Sequence, residues 1–200
     1  MQTLFLARHA FAGSNRDQTV SCTVPGEGLT PEGVEQARRL GASLLGEEIH
    51  LGISSAFRRA RETLELALGE RSDVATATVT ELNEVDFGSY DGGPLEAYRA
   101  WAADHPPGLE APGGGESRAG AAARYARALR LLLARPEETL LAVSHALAVR
   151  YVVDAAHELP PAPLIAPVEH GVAQRLTASQ VSAAATLLED WSRAPRFRRE

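Results

Sequence analysis

The chain has no lysine, and all 20 of its basic residues are arginine. That excludes lysine Schiff-base chemistry, a covalently held pyridoxal phosphate and the lysine of a Walker A phosphate loop. It has one cysteine, Cys22, which excludes an internal disulfide and any cysteine-rich zinc site. A reducing, cytoplasmic compartment is the default expectation for such a chain. No apolar run reaches the roughly 18 residues of a membrane span. The opening MQTLFLARHA has no basic n-region and meets Arg8 too early for a secretory signal. Basic residues are also outnumbered, with 26 acidic side chains and a net charge of −6, which argues against non-specific binding to nucleic acid. The local exception is the tail Arg193, Arg196, Arg198 and Arg199, read as a solvated terminus.

What is present is ordinary globular material. Hydrophobic residues make up 44% and charged residues 23%, which excludes wholesale disorder. A length of 200 residues suits one domain over 1–200 that buries a core without disulfide or metal staples.

The patterning alternates strands with helices. Thr3 to Ala7 is a short apolar run ending at Arg8-His9, followed by a Gly, Ser, Asn and Asp-rich loop to about Gly28. Thr30-Pro31 reads as a helix start, with a capping hydroxyl and a proline in the first turn. Val34, Ala37, Leu40 and Leu44 then recur at helical spacing. Leu51 to Ser54 is a second strand, running directly into a helix over Ala56 to Leu68. Val74 to Val79 is a third strand. Residues 81–116 are irregular, with seven glycines and four prolines, and a short helix near Leu95 to Ala102. The part from about 85 to 116 is expected to form an insertion or partial lid, since long loops are usually functional. The bland alternative for its Trp101 is packing onto the core. Ser117 to Arg135 is a long helix whose Arg124, Arg127 and Arg130 read as a solvated face. Thr139 to Val143 is a fourth strand, Ala146 to Ala156 a helix, Val172 to Leu176 a last strand and Ala178 to Trp191 a closing helix. The expected architecture is a three-layer α/β/α sandwich on a mainly parallel central sheet.

Two histidines occupy matching places. LFLARHA and LLAVSHALA are each a buried strand followed by a polar residue and a histidine, so His9 and His145 should face the crevice outside the strand ends. His145 should also open a helix, where the dipole favours an anion. Arg8 precedes His9. Arg58, Arg59 and Arg61 follow the second strand, pointing in different directions, so at most one or two reach the crevice. Arginine beside two histidines suits a phosphate, whose oxygen pairs match the guanidinium fork. Glu81, Glu84, Asp86 and Asp91 follow the third strand and can supply the proton a leaving oxygen needs. These parts fit one mechanism, in which an imidazole attacks phosphorus and a carboxylic acid protonates the leaving alkoxide. That mechanism calls for no metal and no cofactor, because cationic side chains supply the positive charge.

In this order the motifs resemble the histidine phosphatase superfamily, also called the phosphoglycerate mutase-like family. Arg8-His9-Ala10 resembles its Arg-His-Gly, LTPEGVEQARRLGASL its first helix, and ISSAFRRARETLELAL its Ser-Ser-x-x-x-Arg-Ala-x-x-Thr segment. ELNEVDFGSYDG resembles the general-acid segment, GGES precedes the long helix, and LLAVSHALAVRYVV resembles the strand with the second histidine. The match runs over roughly residues 3–177. It implies that His9 is the phosphorylated nucleophile through Nε2, with its other ring nitrogen held by a backbone carbonyl. It selects Arg59 as the phosphate clamp beside Arg8, His145 and Asn15, and Glu84 as the proton donor. Substrate is read near Ser21 and Cys22.

Ala10 stands where the motif has glycine and is expected to bring a methyl close to the phosphate. Phe11-Ala12 is expected to make the loop lip apolar, against highly charged substrates. The 60 residues between Glu84 and His145 favour a phosphatase over a mutase. The expected activity is therefore hydrolysis of a small phosphorylated metabolite. A mutase, a phosphoprotein phosphatase and a non-catalytic phosphate-binding protein are the alternatives. A metallohydrolase using His9, His145 and His170 lacks a ligand-spacing motif. His170 precedes the last strand, within reach of the crevice, and is not selected; His50 and His157 read as surface residues. A homodimer through an edge strand is compatible with the fold, and no membrane partner is expected.

Overall fold

The apolar runs become strands in the computed structural model, which describes residues 1–198. They are β1 (Thr3–Arg8), β2 (Leu51–Ser54), β3 (Ala75–Thr78), β4 (Thr139–Ser144) and β5 (Ala173–Thr177). The helices are α1 (Gly13–Arg16), α2 (Pro31–Ser43), α3 (Arg58–Leu68), α4 (Leu95–Asp104), α5 (Arg118–Leu133), α6 (Ala146–Ala156) and α7 (Ala178–Arg193). Arg199, in the basic tail, lies outside the described residues.

The sheet order is β3-β2-β4-β1-β5. The first four strands are mutually parallel and β5 pairs antiparallel with β1. Successive side chains of a strand point to opposite faces, and here each face has its own helical layer. Phe5 and Ala7 of β1, with Leu141 and Val143 of β4, pack against Leu40 of α2 and Leu64 of α3. Leu4 and Leu6, with Leu140 and Ala142, pack against Tyr125 of α5, Tyr151 of α6 and Leu188 of α7. This is the expected three-layer sandwich. The edge strand β3 differs from the central ones: most of its Ala-Thr-Ala-Thr residues are exposed, so it is held by pairing to β2 rather than by burial.

Helix starts follow local chemistry. Thr30 caps α2 by accepting from Gly33 N at 3.1 Å, with Pro31 in the first turn. Ser117 caps α5 in the same way through Gly120 N at 2.9 Å. Gly41 allows α2 and α3 to cross closely, since a Cβ there would stand 2.4 Å from the Ala67 carbonyl oxygen.

One expectation about α5 is overturned. Arg127 is exposed and Arg130 bonds Glu189 at the surface, but Arg124 is not solvated. Its side chain is 16% exposed and pairs with Glu116 at 2.6 Å. It also donates to the carbonyl oxygens of Glu81 and Asn83 at 2.9 and 2.8 Å, and to that of Glu84 at 3.3 Å. The segment leading to Glu84 turns back over α5 and offers carbonyls with no ladder to join, and Arg124 satisfies them. Periodicity within α5 carries no sign of that partner.

Candidate active site

The register of the two central strands builds the site. Arg8 of β1 lies beside Ser144 of β4, so the next residue of each strand, His9 and His145, emerges side by side at the carboxyl edge. Their ring centroids are 5.2 Å apart. His145 is the N-cap residue of α6. Both are buried, at 2% and 0% exposure.

The hydrogen bonds fix how each ring is used. His9 Nδ1 faces the Ala10 carbonyl at 2.8 Å. Arg59 Nε donates to His9 Nε2 at 3.2 Å. A guanidinium only donates, so Nε2 carries the lone pair and Nδ1 the proton. The same logic applies to His145, whose Nδ1 receives Arg59 Nη2 at 3.3 Å. Its Nε2 therefore donates to Ser55 Oγ at 2.9 Å. Burial, followed by the positive charges of Arg59 and Arg8, holds the His9 pKa well below its ordinary value. Burial and Arg59 do the same for His145. Both imidazoles are neutral near pH 7.

Among the three candidate arginines of α3, Arg59 is the one that turns inward. It is 2% exposed, while Arg58 is spent on a surface ion pair with Glu62 at 2.6 Å and Arg61 is exposed. Besides the two histidines, Arg59 donates to the Ser21 carbonyl at 2.9 Å. Gly26 has a positive φ beside it, and a Cβ there would approach Arg59 Nη1 at 3.1 Å. Arg8 is held by the Val168 carbonyl at 2.8 Å. Two donors remain without partners among the described residues: Arg59 Nη1 and Arg8 Nε. Burial lowers the Arg8 pKa to about 10, and it remains a cation.

Of the four acids, Glu84 is the one at the site. Its Oε2 lies 3.6 Å from His145 Nδ1, and its Oε1 accepts from Val85 N at 3.1 Å. Burial raises its pKa, opposed by Arg59. The segment is pinned from three sides: by Ser144 Oγ donating to the Leu82 carbonyl at 2.7 Å, by Ala56 N donating to Asn83 Oδ1 at 2.9 Å, and by Arg124. Asp91 instead receives Cys22 N and the Thr23 hydroxyl, and Asp86 receives Gly88 N.

These groups open into a cavity of about 470 Å³, lined at one end by Arg8, His9, Asn15, Ser21, Arg59 and Glu84. Asn15 also caps the short α1, with Oδ1 accepting from Ala12 N at 3.0 Å. Cys22 does not line this cavity; it lines a neighbouring one, which Glu84 also borders. Its Sγ contacts Asp86 at 3.5 Å, and burial pushes its thiol up to about 12. Ala10 and Phe11 behave differently from expectation. Neither lines the cavity. Ala10 is fully buried, with its N–H donating to Thr63 Oγ1 at 2.9 Å. Phe11 packs edge-on against His170, with 5.3 Å between centroids. The cavity is apolar for another reason: Leu95, Leu147, Leu164, Ile165 and Val168 line it.

In the segment from Leu159 to Val168, between α6 and β5, residues 163–168 thus line the cavity. The segment's four prolines and its leucines are the signal in the sequence, an apolar loop where polar turn residues are usual. His170, left unselected, lies against the site: its Nδ1 faces the His9 carbonyl at 2.9 Å, and its ring sits 5.6 Å from that of His9. Burial lowers its pKa to about 4. Trp101 stacks on His105 at 5.0 Å and packs on the core. Among the described residues, no group of three or more His, Cys, Asp or Glu could hold a metal ion, and no helix is long and apolar enough to cross a membrane.

The family model of the histidine phosphatase superfamily (branch 1) matches residues 4–184. The chain belongs to that superfamily. An Escherichia coli K12 adenosylcobalamin/alpha-ribazole phosphatase is 31% identical over 151 residues, covering 71% of this chain and 72% of the relative. A 2,3-bisphosphoglycerate-dependent phosphoglycerate mutase of Xanthobacter autotrophicus Py2 is 33% identical over 147 residues, covering 66% and 70%. The crystal structure of the alpha-ribazole phosphatase from Shigella flexneri superposes with a TM-score of 0.71 at 24% identity, covering 86% of this chain and 89% of that one. That last likeness speaks for the fold alone.

Proposed function

We propose that the protein is a metal-independent phosphatase that hydrolyses phosphomonoesters of small cytoplasmic metabolites through a phosphohistidine at His9. One observation carries the reading. The His9 Nε2 lone pair and the unpartnered donors Arg59 Nη1 and Arg8 Nε sit at the same end of one cavity. A nucleophile among buried donors calls for an electrophile wrapped in anionic oxygens, and a phosphoryl group is that ligand.

The neutral imidazole attacks phosphorus through Nε2, and the bond to the leaving oxygen breaks as the N–P bond forms. Arg59 and Arg8 donate to the equatorial oxygens. The incoming anion offsets their charge and lets His145 hold a proton on Nδ1 toward the same oxygens. Glu84, whose carboxyl burial pushes above its ordinary value, gives its proton to the leaving alkoxide. As a carboxylate it then takes a proton from water, which attacks phosphorus, breaks the N–P bond and releases phosphate. Asn15 and Ser21 hold the phosphoryl end of the substrate.

The test is hydrolysis of an aryl phosphate with a chelator present, for wild type and His9→Ala. Turnover that survives chelation and vanishes in the variant supports the mechanism. Turnover that dies with the chelator sinks it. A rapid quench should also trap phosphoryl label on the protein, stable in alkali and lost in acid. The mutase named among the relatives supplies a second reading, in which a substrate hydroxyl replaces water at the phosphohistidine. Exchange of phosphate between positions of a phosphoglycerate, faster than its hydrolysis, would favour it.

A further inference from the structure

The cavity is larger than a phosphoryl group, and its lining includes a second pair of buried polar side chains without partners. Arg118 opens α5 and is 7% exposed; Tyr98 lies on α4 and is 5% exposed. Both line the cavity that holds His9 and Arg59. Arg118 is fixed in place: its Nε donates to Tyr151 Oη at 2.7 Å, and its guanidinium lies over the Tyr151 ring at 5.1 Å. Its Nη2 and the Tyr98 hydroxyl are both buried with no hydrogen-bond partner among the described residues.

Buried polar atoms without partners are costly, so a pair of them in one cavity lining needs an explanation. Arg118 can only donate. Burial pushes the Tyr98 phenol up to about 12, so it keeps its proton. Both groups can donate to an acceptor oxygen, and the Arg118 charge is among the influences on the Tyr98 phenol, so an anionic group with two oxygens is the ligand that suits the pair. No carboxylate pairs with Arg118 among the described residues. Glu96, also on the cavity wall, is exposed. Apolar side chains, Val85, Leu95, Leu147 and Ile165 among them, share the lining with this pair.

We propose that Arg118 and Tyr98 form a second anion subsite, which takes a carboxylate-type group at the far end of the substrate's leaving group. The preferred substrate then has three parts: a phosphoryl head for His9 and Arg59, an apolar body for the lining, and an anionic terminus for Arg118 and Tyr98. This rests on the phosphatase reading for the placement of the head, but its test does not need turnover.

The probes are alkyl phosphonates of increasing chain length, each ending in either a methyl or a carboxylate group. Binding is measured by calorimetry to wild type, Tyr98→Phe, Arg118→Met and Arg59→Met. At one chain length the carboxylate-ended probe should bind wild type about tenfold or more tighter than its methyl-ended twin. Tyr98→Phe, which removes one oxygen, and Arg118→Met should each abolish that preference and leave the methyl-ended affinity unchanged. No preference at any length, or a preference that survives both variants, overturns the subsite. Arg59→Met separates the two readings. If it leaves the methyl-ended affinity intact, the phosphate pocket is misassigned, and the carboxylate preference still decides the subsite on its own.

Discussion

The two walls of the cavity are built in opposite ways. The wall with His9 and Arg59, backed by His145, grows from the ends of three adjacent parallel strands and the first turn of α3, and hydrogen bonds tie these three side chains together while Arg59 Nη1 and Arg8 Nε stay without partners among the described residues. The rest of the lining comes from α4, from Arg118 at the start of α5 and from the proline-rich residues 163–168. Chemistry needs fixed angles and takes them from hydrogen-bonded sheet ends. Recognition of a leaving group needs shape, which segments hung from loops supply.

Changes to the first wall should act on kcat and changes to the second on KM. The largest effect is expected for His9→Ala, a loss in kcat/KM of about 10^4-fold or more, read with a chromogenic aryl phosphate. Arg59→Met should follow, at about 10^2–10^3-fold and mainly in kcat, because its donors serve the transition state. Glu84→Gln should cost about 10^2–10^3-fold on alkyl phosphates but far less on an aryl phosphate whose leaving group needs no proton. Equal losses on both would remove Glu84 as the proton donor. Its pKa is raised, so the acid form persists above the usual carboxylate range, and kcat for alkyl phosphates should fall as pH rises through that value. His9 has a depressed pKa, so the nucleophile stays neutral into acid and the low-pH limb should appear well below the usual histidine value. A rate that climbs through neutral pH instead would contradict both assignments.

Smaller effects probe the boundary between the walls. Arg124→Met leaves Glu116 and three carbonyls unpaired and should destabilise by about 2–3 kcal/mol, seen as a lower melting temperature. Its kcat should also drop for alkyl phosphates more than for aryl ones, because the segment it clamps carries Glu84. The smallest change is expected for Leu164→Ser at an exposed part of the lining. KM for apolar esters should rise a few-fold, about 1 kcal/mol of lost burial, with kcat unchanged.

What was legible in the sequence follows the same division. β2 at Leu51–Ser54 and α6 at Ala146–Ala156 run as their apolar patterns predict, because buried parallel strands and an amphipathic helix depend on local spacing. Arg8-His9 and Ser144-His145 could be paired because strand ends converge in any such sheet. Choosing Arg59 and Glu84 from their neighbours took the family resemblance, since spacing alone left several candidates. Arg118, Arg124 and the 163–168 lining were out of reach for a common reason. Their roles depend on partners 33 to 43 residues away or on a loop with no period. Arg118 had one readable sign: it shares a helical face with Ala122, Tyr125 and Leu129, all buried.

The alignment of Arg8 with Ser144 has a practical consequence for counting molecules. A slip of one residue between β1 and β4 would part the two histidines. It would also turn Phe5 and Ala7 away from α2 and α3 and send Leu4 and Leu6 there instead. Misalignment therefore cannot spare the packing while harming only the chemistry. Burst titration with a slowly dephosphorylated substrate would report the correctly threaded fraction of any preparation, and should agree with the fraction that melts cooperatively.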